Sequence, residues 1–190
     1  NIEFKMRILS RKFYNRDTVQ VAKDLLGKTL VRKIGKQKLT GIIIETEAYM
    51  GKNDPASHAS KKKTERNKVM FGQVGWSYVY FTYGMHYCFN VVAKKDGEES
   101  GAVLIRSVQP RLGIGTMIKN RKIDLISNLV NGPAKLTQAM QITKKQYHLD
   151  LTKDSGLFIM DGIKPTKILA KPRIGITVGA DKLWNFSFKI

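Results

Sequence analysis

The alternation of apolar and polar positions divides this chain into short strands and three helical stretches. Thr29–Ile34 and Leu39–Glu47 read as two strands joined by the turn Gly35-Lys36-Gln37-Lys38. Trp76–Phe81 alternates strictly, with Trp76, Tyr78 and Tyr80 on one face and Ser77, Val79 and Phe81 on the other. Tyr83-Gly84-Met85 follows as a turn, and His86–Ala93 is predicted as the returning strand. Ala102–Val108 is an apolar strand interrupted by Arg106, and Leu157–Met160, Ile174–Val178 and Phe186–Ile190 are predicted as late strands. The first helical stretch is Asp17–Leu26, with Asp17 as cap, Gln20 at the capping-box position and Gly27 as the stop. Its apolar stripe is Val21, Ala22, Leu25 and Leu26. Arg111–Asn120 is the second, despite Gly113 and Gly115, and Gly132-Pro133 opens the third through Met140. Phe13 and Tyr14 are the expected anchors of a basic N-terminal stretch. Gly51 to Gly75 is a long polar connection, and Tyr147–Thr152 is irregular. No repeat or linker interrupts the pattern. The reading is one α+β domain over residues 1–190, a curved and mostly antiparallel sheet with hairpins and surrounding helices.

One strand changes character along its length. Ile42, Ile43 and Ile44 suit a buried strand, and then Glu45, Glu47 and Tyr49 fall on one face. Taken alone, this stretch supports a functional site and a solvated strand end equally.

Composition narrows the class. At 190 residues, 42% hydrophobic and 9% aromatic, the chain can bury a sizeable core. No apolar run spans a bilayer, and no signal segment is visible. The chain opens on Asn1, so a trimmed start is expected. A single cysteine, Cys88, forms no intrachain disulfide and no cysteine-cluster zinc site, which points to a reducing, intracellular setting. Lys and Arg number 34 against 15 acidic residues, a net charge of +19. Such a balance calls for a polyanion, nucleic acid first and an anionic membrane second. A generally lysine-rich proteome would give the same excess, spread along the chain as it is here.

Three features could carry chemistry. A guanidinium at Arg106, on so apolar a strand, requires a partner, and Glu45 or Glu47 could supply it. A structural ion pair explains it as well as a catalytic one. Asn90 lies among apolar residues, where a buried amide must be hydrogen-bonded and can discriminate between ligands. Tyr49, His58, Tyr78, Tyr80 and Tyr83 beside many lysines suit base stacking, although strand tyrosines are more often packing. The sequence has no Walker loop, no His-Glu-x-x-His, no zinc-finger spacing and no Gly-x-Ser-x-Gly.

These residues fall in runs that resemble the alkyladenine DNA glycosylases (3-methyladenine or methylpurine DNA glycosylases). The runs are Leu25–Lys28, Ile44–Tyr49, the loop at His58, Arg66-Asn67, Met70-Phe71, Tyr78–Tyr80, Tyr83–Met85, Cys88–Asn90, Val103–Arg106 and Asn131–Leu136. Each is weak alone; together, in the family's order and near its spacing, they are specific. The resemblance implies an enzyme that flips a damaged purine out of duplex DNA and hydrolyses its bond to the sugar. It implies Glu47 as the base that activates water, with Arg106 and the Ile174 carbonyl holding that water. It implies Tyr49, His58 and Tyr80 around the flipped base, Asn90 as the gate against guanine, and Tyr83 as the wedge, with Met85 beside it on the DNA. His86 departs from the tyrosine that better-known members carry next to the wedge. The resemblance further implies no cofactor, no metal, no obligate protein partner and a monomer acting on damaged double-stranded DNA. Its setting would be cytoplasm or nucleoid in a prokaryote and nucleus in a eukaryote. The competing readings are a nuclease with Glu45 and Glu47 as metal ligands, and a non-catalytic nucleic-acid-binding domain.

Overall fold

The computed structural model of the protein describes residues 7–190; the first six residues of the basic stretch lie outside the described residues. Helix α1 (Arg11–Tyr14) drives Tyr14 fully into the core. Helix α2 (Thr18–Asp24) begins where the Asp17 side chain accepts from the Gln20 amide. The reciprocal half of the expected capping box is absent, because the Gln20 side chain donates to Asp24 instead. Val21 and Ala22, with Leu25 and Leu26 just beyond, pack beneath the sheet, and Gly27 ends the turn at φ +82°.

Strands β1 (Thr29–Ile34) and β2 (Gln37–Tyr49) pair from Ile34 opposite Gln37, so the turn is only Gly35-Lys36. Strands β3 (Ser77–Thr82), β4 (His86–Val92) and β5 (Ala102–Leu112) form a meander that joins β2 through β5. With β6 (Leu157–Met160) on the far edge, the sheet runs β3-β4-β5-β2-β1-β6, all antiparallel. Two short strands, β7 (Leu169–Lys171) and β8 (Asn185–Ser187), add a branch in which β8 pairs with the second half of β2. Helices α3 (Ile114–Arg121) and α4 (Pro133–Ala139) pack against each other, and α4 also covers β4 and β5. The α+β expectation therefore holds.

Three expectations need correction. Ile174–Val178 is not a strand: it forms turns, and the edge strand lies earlier, at Leu169–Lys171. Its apolar residues led the pattern astray, because they face a cavity and solvent, not a ladder. The last strand is Asn185–Ser187, three residues where Phe186–Ile190 was expected. The second helix starts late, because β5 continues to Leu112 against β2 and Gly113, at φ +76°, makes the bend.

The layout of β2 matters most. Its first half pairs with β1 up to Ile42, and its second half pairs with β8 from Glu45 to Glu47. Where it changes neighbours, its register with β5 shifts on both sides of Glu45. Such irregularities re-aim side chains next to sites. Here they deliver Glu45 and Glu47 to the seam between the meander and the β7–β8 branch.

Candidate active site

Glu47 lies on the central strand with no exposed surface, and every polar contact it makes is with a donor. The Tyr49 hydroxyl donates to Oε2 at 2.7 Å, as the side-chain alternation of a strand allows. The Ile174 backbone N–H donates to Oε1 at 2.7 Å, and Asn185 Nδ2 donates to the same oxygen at 2.9 Å. Arg106 Nη1 stands 3.6 Å from Oε2, too far for a direct hydrogen bond. The same guanidinium reaches the other glutamate, with Nε 3.4 Å from Glu45 Oε1. Asn185 Nδ2 also donates to Glu45 Oε1, at 2.9 Å, so one amide clamps both carboxylates. Arg106 is thus paired with both of its expected partners. It lies between two carboxylates that would otherwise repel each other in a low dielectric.

Above this cluster opens a cavity of about 410 Å³, within the roughly 300–1,000 Å³ range of small-molecule sites. It gathers Tyr49, His58, Tyr80, Tyr83, Asn90, Arg106 and Ile174 from segments spread over the whole chain. Tyr78, Met70, Cys88 and Leu104 complete its walls. Glu47 itself does not line the cavity; it lies behind the wall, in contact with the lining residues Tyr49, Arg106 and Ile174. Asn90 is buried, and its Nδ2 donates to the Tyr78 carbonyl at 3.1 Å.

The long Gly51–Gly75 connection is well organised around its polar side chains. Asn67 Nδ2 donates to the carbonyls of His58 and Lys62, and its Oδ1 accepts from the Thr64 amide. This fixes His58 at the mouth, where its ring meets Tyr80 edge-on at 4.5 Å and Nδ1 lies 2.9 Å from the Tyr78 hydroxyl. Partial burial pushes the His58 pKa down, and the nearby Arg66 guanidinium pushes it further. Burial raises the hydroxyl pKa of Tyr49, Tyr78 and Tyr80, so all three stay neutral. The expected titration midpoint of His58, followed by NMR of its ring protons, therefore lies below the ordinary value of about 6.5. The folded protein resists a proton that the unfolded chain accepts. His58 accordingly withdraws stability as pH falls through 6.5 and has no effect above it. A midpoint at or above 6.5 would remove this account of a neutral imidazole at the mouth.

The β3–β4 hairpin projects beside the cavity. Its tip is the three-residue connection Tyr83-Gly84-Met85, with Tyr83 at φ 51° and Gly84 at φ 66°, closed by the Met85 amide donating to the Thr82 carbonyl at 3.2 Å. A bulky residue in that backbone region is uncommon and strained. The Tyr83 side chain stands 82% exposed. Met85 is exposed too, but it does not line the main cavity. It borders a second groove with His86, Arg32 and Lys145. Beside the cavity, Arg66 stacks on Tyr80 at 5.1 Å and donates to the Phe81 carbonyl, and in the same connection Lys61–Lys63 are exposed.

Two participants escaped the sequence reading. Asn185 sits at the start of β8 and carried no signal beyond being a polar residue between Trp184 and Phe186. Arg173 precedes Ile174 in a lysine-rich tail and was indistinguishable there from solvated charge. Among the described residues no group of three or more His, Cys, Asp or Glu is placed to hold a metal ion.

A basic mouth, an aromatic cavity, a strained aromatic tip and a buried carboxylate clamped by donors suit a class of protein: a hydrolase that acts on nucleic acid. The profile of the family described as "Methylpurine-DNA glycosylase (MPG)" matches residues 12–189, and the chain belongs to this family. It is a DNA glycosylase, a DNA-repair hydrolase that acts on alkylated purines. It is 49% identical over 178 residues to a protein of Prosthecochloris aestuarii, covering 92% of this chain and 85% of that one. A Methanocella arvoryzae protein is 47% identical over 185 residues, covering 95% of this chain and 92% of its own. One from Carboxydothermus hydrogenoformans is 48% identical over 184 residues, covering 96% and 95%. All three bear the name "Putative 3-methyladenine DNA glycosylase".

Proposed function

We propose that this glycosylase flips 3-methyladenine, hypoxanthine or ethenoadenine out of duplex DNA and releases it with a water activated by Glu47. The observation that carries this is the 3.6 Å gap between Nη1 of the cavity-lining Arg106 and Oε2 of the buried Glu47 behind it. A water at the apex of that gap accepts from Nη1 and donates to Oε2. As its oxygen attacks the anomeric carbon, the bond from sugar to purine breaks, and Glu47 takes the proton. A purine made cationic by alkylation leaves as a neutral base, whereas hypoxanthine or ethenoadenine leaves as its anion and takes up a proton from solvent. Arg106 holds the water, with the Ile174 carbonyl as a further contact.

Tyr49, His58 and Tyr80 enclose the extruded base. Neutral rings favour a cationic purine by about 0.5–2 kcal/mol each. A neutral His58 adds stacking without repelling that cation. Asn90, pinned by the Tyr78 carbonyl, crowds a guanine 2-amino group and excludes the most abundant normal competitor. Tyr83 fills the gap left in the duplex, with Met85 on the neighbouring pairs. The exposed lysines and Arg66 hold phosphates without reading sequence. In this reading the enzyme acts as a monomer, without an obligate protein partner.

The test is incubation with duplexes carrying a single lesion in EDTA, then alkali. Alkali-labile sites at the lesion, with an intact backbone before alkali, are expected. Strand cleavage that stops in EDTA would favour the nuclease reading, and binding without excision would favour the non-catalytic one.

Tyr83→Asn separates wedge from fold. Asn adopts positive φ readily and suits this turn, so the thermal midpoint is expected to stay or rise. Excision from duplex should fall about tenfold or more, because extrusion costs a few kcal/mol that the wedge offsets. Excision from an unpaired, single-stranded lesion should change far less. Equal losses on both substrates would contradict the wedge.

A further inference from the structure

Arg173 is a charged residue that the proposed chemistry does not use, yet its side chain is completely buried. Its guanidinium grips Asp54, also completely buried, through two parallel bonds, Nη1 to Oδ2 at 2.7 Å and Nη2 to Oδ1 at 2.8 Å. The second N–H of each Nη group reaches the Ala48 carbonyl at 3.0 Å and the Gly179 carbonyl at 3.2 Å, and the buried Nε–H has no partner. Its Cζ lies over two aromatic rings, 4.7 Å from the centre of Tyr49 and 5.1 Å from that of Trp184. Gly179 leaves the space it needs: at φ +65°, a Cβ there would sit 3.1 Å from Nη2 and 3.3 Å from Pro55.

The contacts of this one side chain converge on the proposed base. Ala48 stands between Glu47 and Tyr49 on β2, and Ile174 is the next residue after Arg173. Asp54 in turn accepts from the Met50 and Ala56 amides, so the fork also holds the loop that carries His58. The segment around Ile174 has no strand pairing of its own to set its position. Resting on the reading of Glu47 as base, we propose that Arg173 and Asp54 are positioning residues. They hold the Ile174 N–H against Glu47 and the Tyr49 ring against the cavity. The bidentate geometry requires a planar fork, which lysine lacks.

Arg173→Lys keeps the charge and loses the fork; Asp54→Asn keeps the shape and loses the charge. Both are measured by single-turnover excision, by Kd for lesion duplex and by amide exchange of Ile174, with Glu47→Gln as control. In each variant the excision rate is expected to fall about 10–100-fold, the scale of sub-ångström to ångström misplacement of a reacting group. Kd should stay within about threefold, because phosphate contacts dominate it. The Ile174 amide should exchange slowly in wild type and at least about tenfold faster in the variants. Wild-type-like rates in both variants, or equal losses in rate and Kd, overturn the proposal. So does a freely exchanging Ile174 amide in the wild-type protein, which decides the matter if neither variant folds. If Glu47→Gln excises normally, the base reading itself fails, and with it the positioning role. If Glu47→Gln is inactive while both variants excise normally, only the positioning role fails.

Discussion

Glu47→Gln is expected to lower single-turnover excision by about 10³-fold, within the range that general acid–base groups supply, while lesion DNA still binds. The amide oxygen can keep accepting from Ile174 and Asn185 on the Oε1 side. The amide nitrogen then occupies the Oε2 side. There the Tyr49 hydroxyl can reverse and accept, but Arg106 meets a donor and is left to Glu45 alone. The variant thus stays folded and loses the group that accepts the proton from water. Lesion duplex in EDTA followed by alkali reads the loss, and a gel shift reads the binding. If wild type and Glu47→Gln excise at similar rates, Glu47 is not the base.

Arg106→Leu is expected to have the largest effect on stability. Glu47 is fully buried and Glu45 nearly so, and this guanidinium compensates both. Breaking such a buried set costs about 3–5 kcal/mol, which lowers Tm by on the order of 10 °C in a domain of this size. Lys171 replaces little of this, since its ammonium is half exposed and 3.8 Å from Glu45 only. Adding Glu47→Gln to Arg106→Leu should recover part of the loss, because it removes one of the two uncompensated charges. Calorimetry of the two single variants and the double variant measures this. Strictly additive losses would show that Arg106 and Glu47 are not coupled.

Much of the site was legible before the fold because its residues sit on regular elements. Glu45, Glu47 and Tyr49 converge by strand alternation alone, and Tyr78 and Tyr80 do so for the same reason. The Tyr83 tip followed from Gly84 between two alternating runs. The demand of Arg106 for a carboxylate followed from the apolar strand around it. Other parts were illegible for equally physical reasons. Ile174–Val178 has strand-like residues, but pairing is a property of neighbours, and no neighbour is there. Glu47 meets Asn185 across 138 residues of chain, and Arg173 meets Asp54 across 119.

Local pattern and composition by themselves determined most of the strands and helices before Ile163, the basic character, the acidic end of β2 and, through accumulated motifs, the family resemblance. These are set by side-chain periodicity, turn chemistry and charge, which act over a few residues. Only the tertiary structure decided which donors close on Glu47, that Arg106 serves both glutamates, and that Arg173 and Asp54 are a buried pair. Those outcomes depend on where β2 exchanges β1 for β8 and how the tail folds back over it. Long-range burial decides that, and no local rule encodes it.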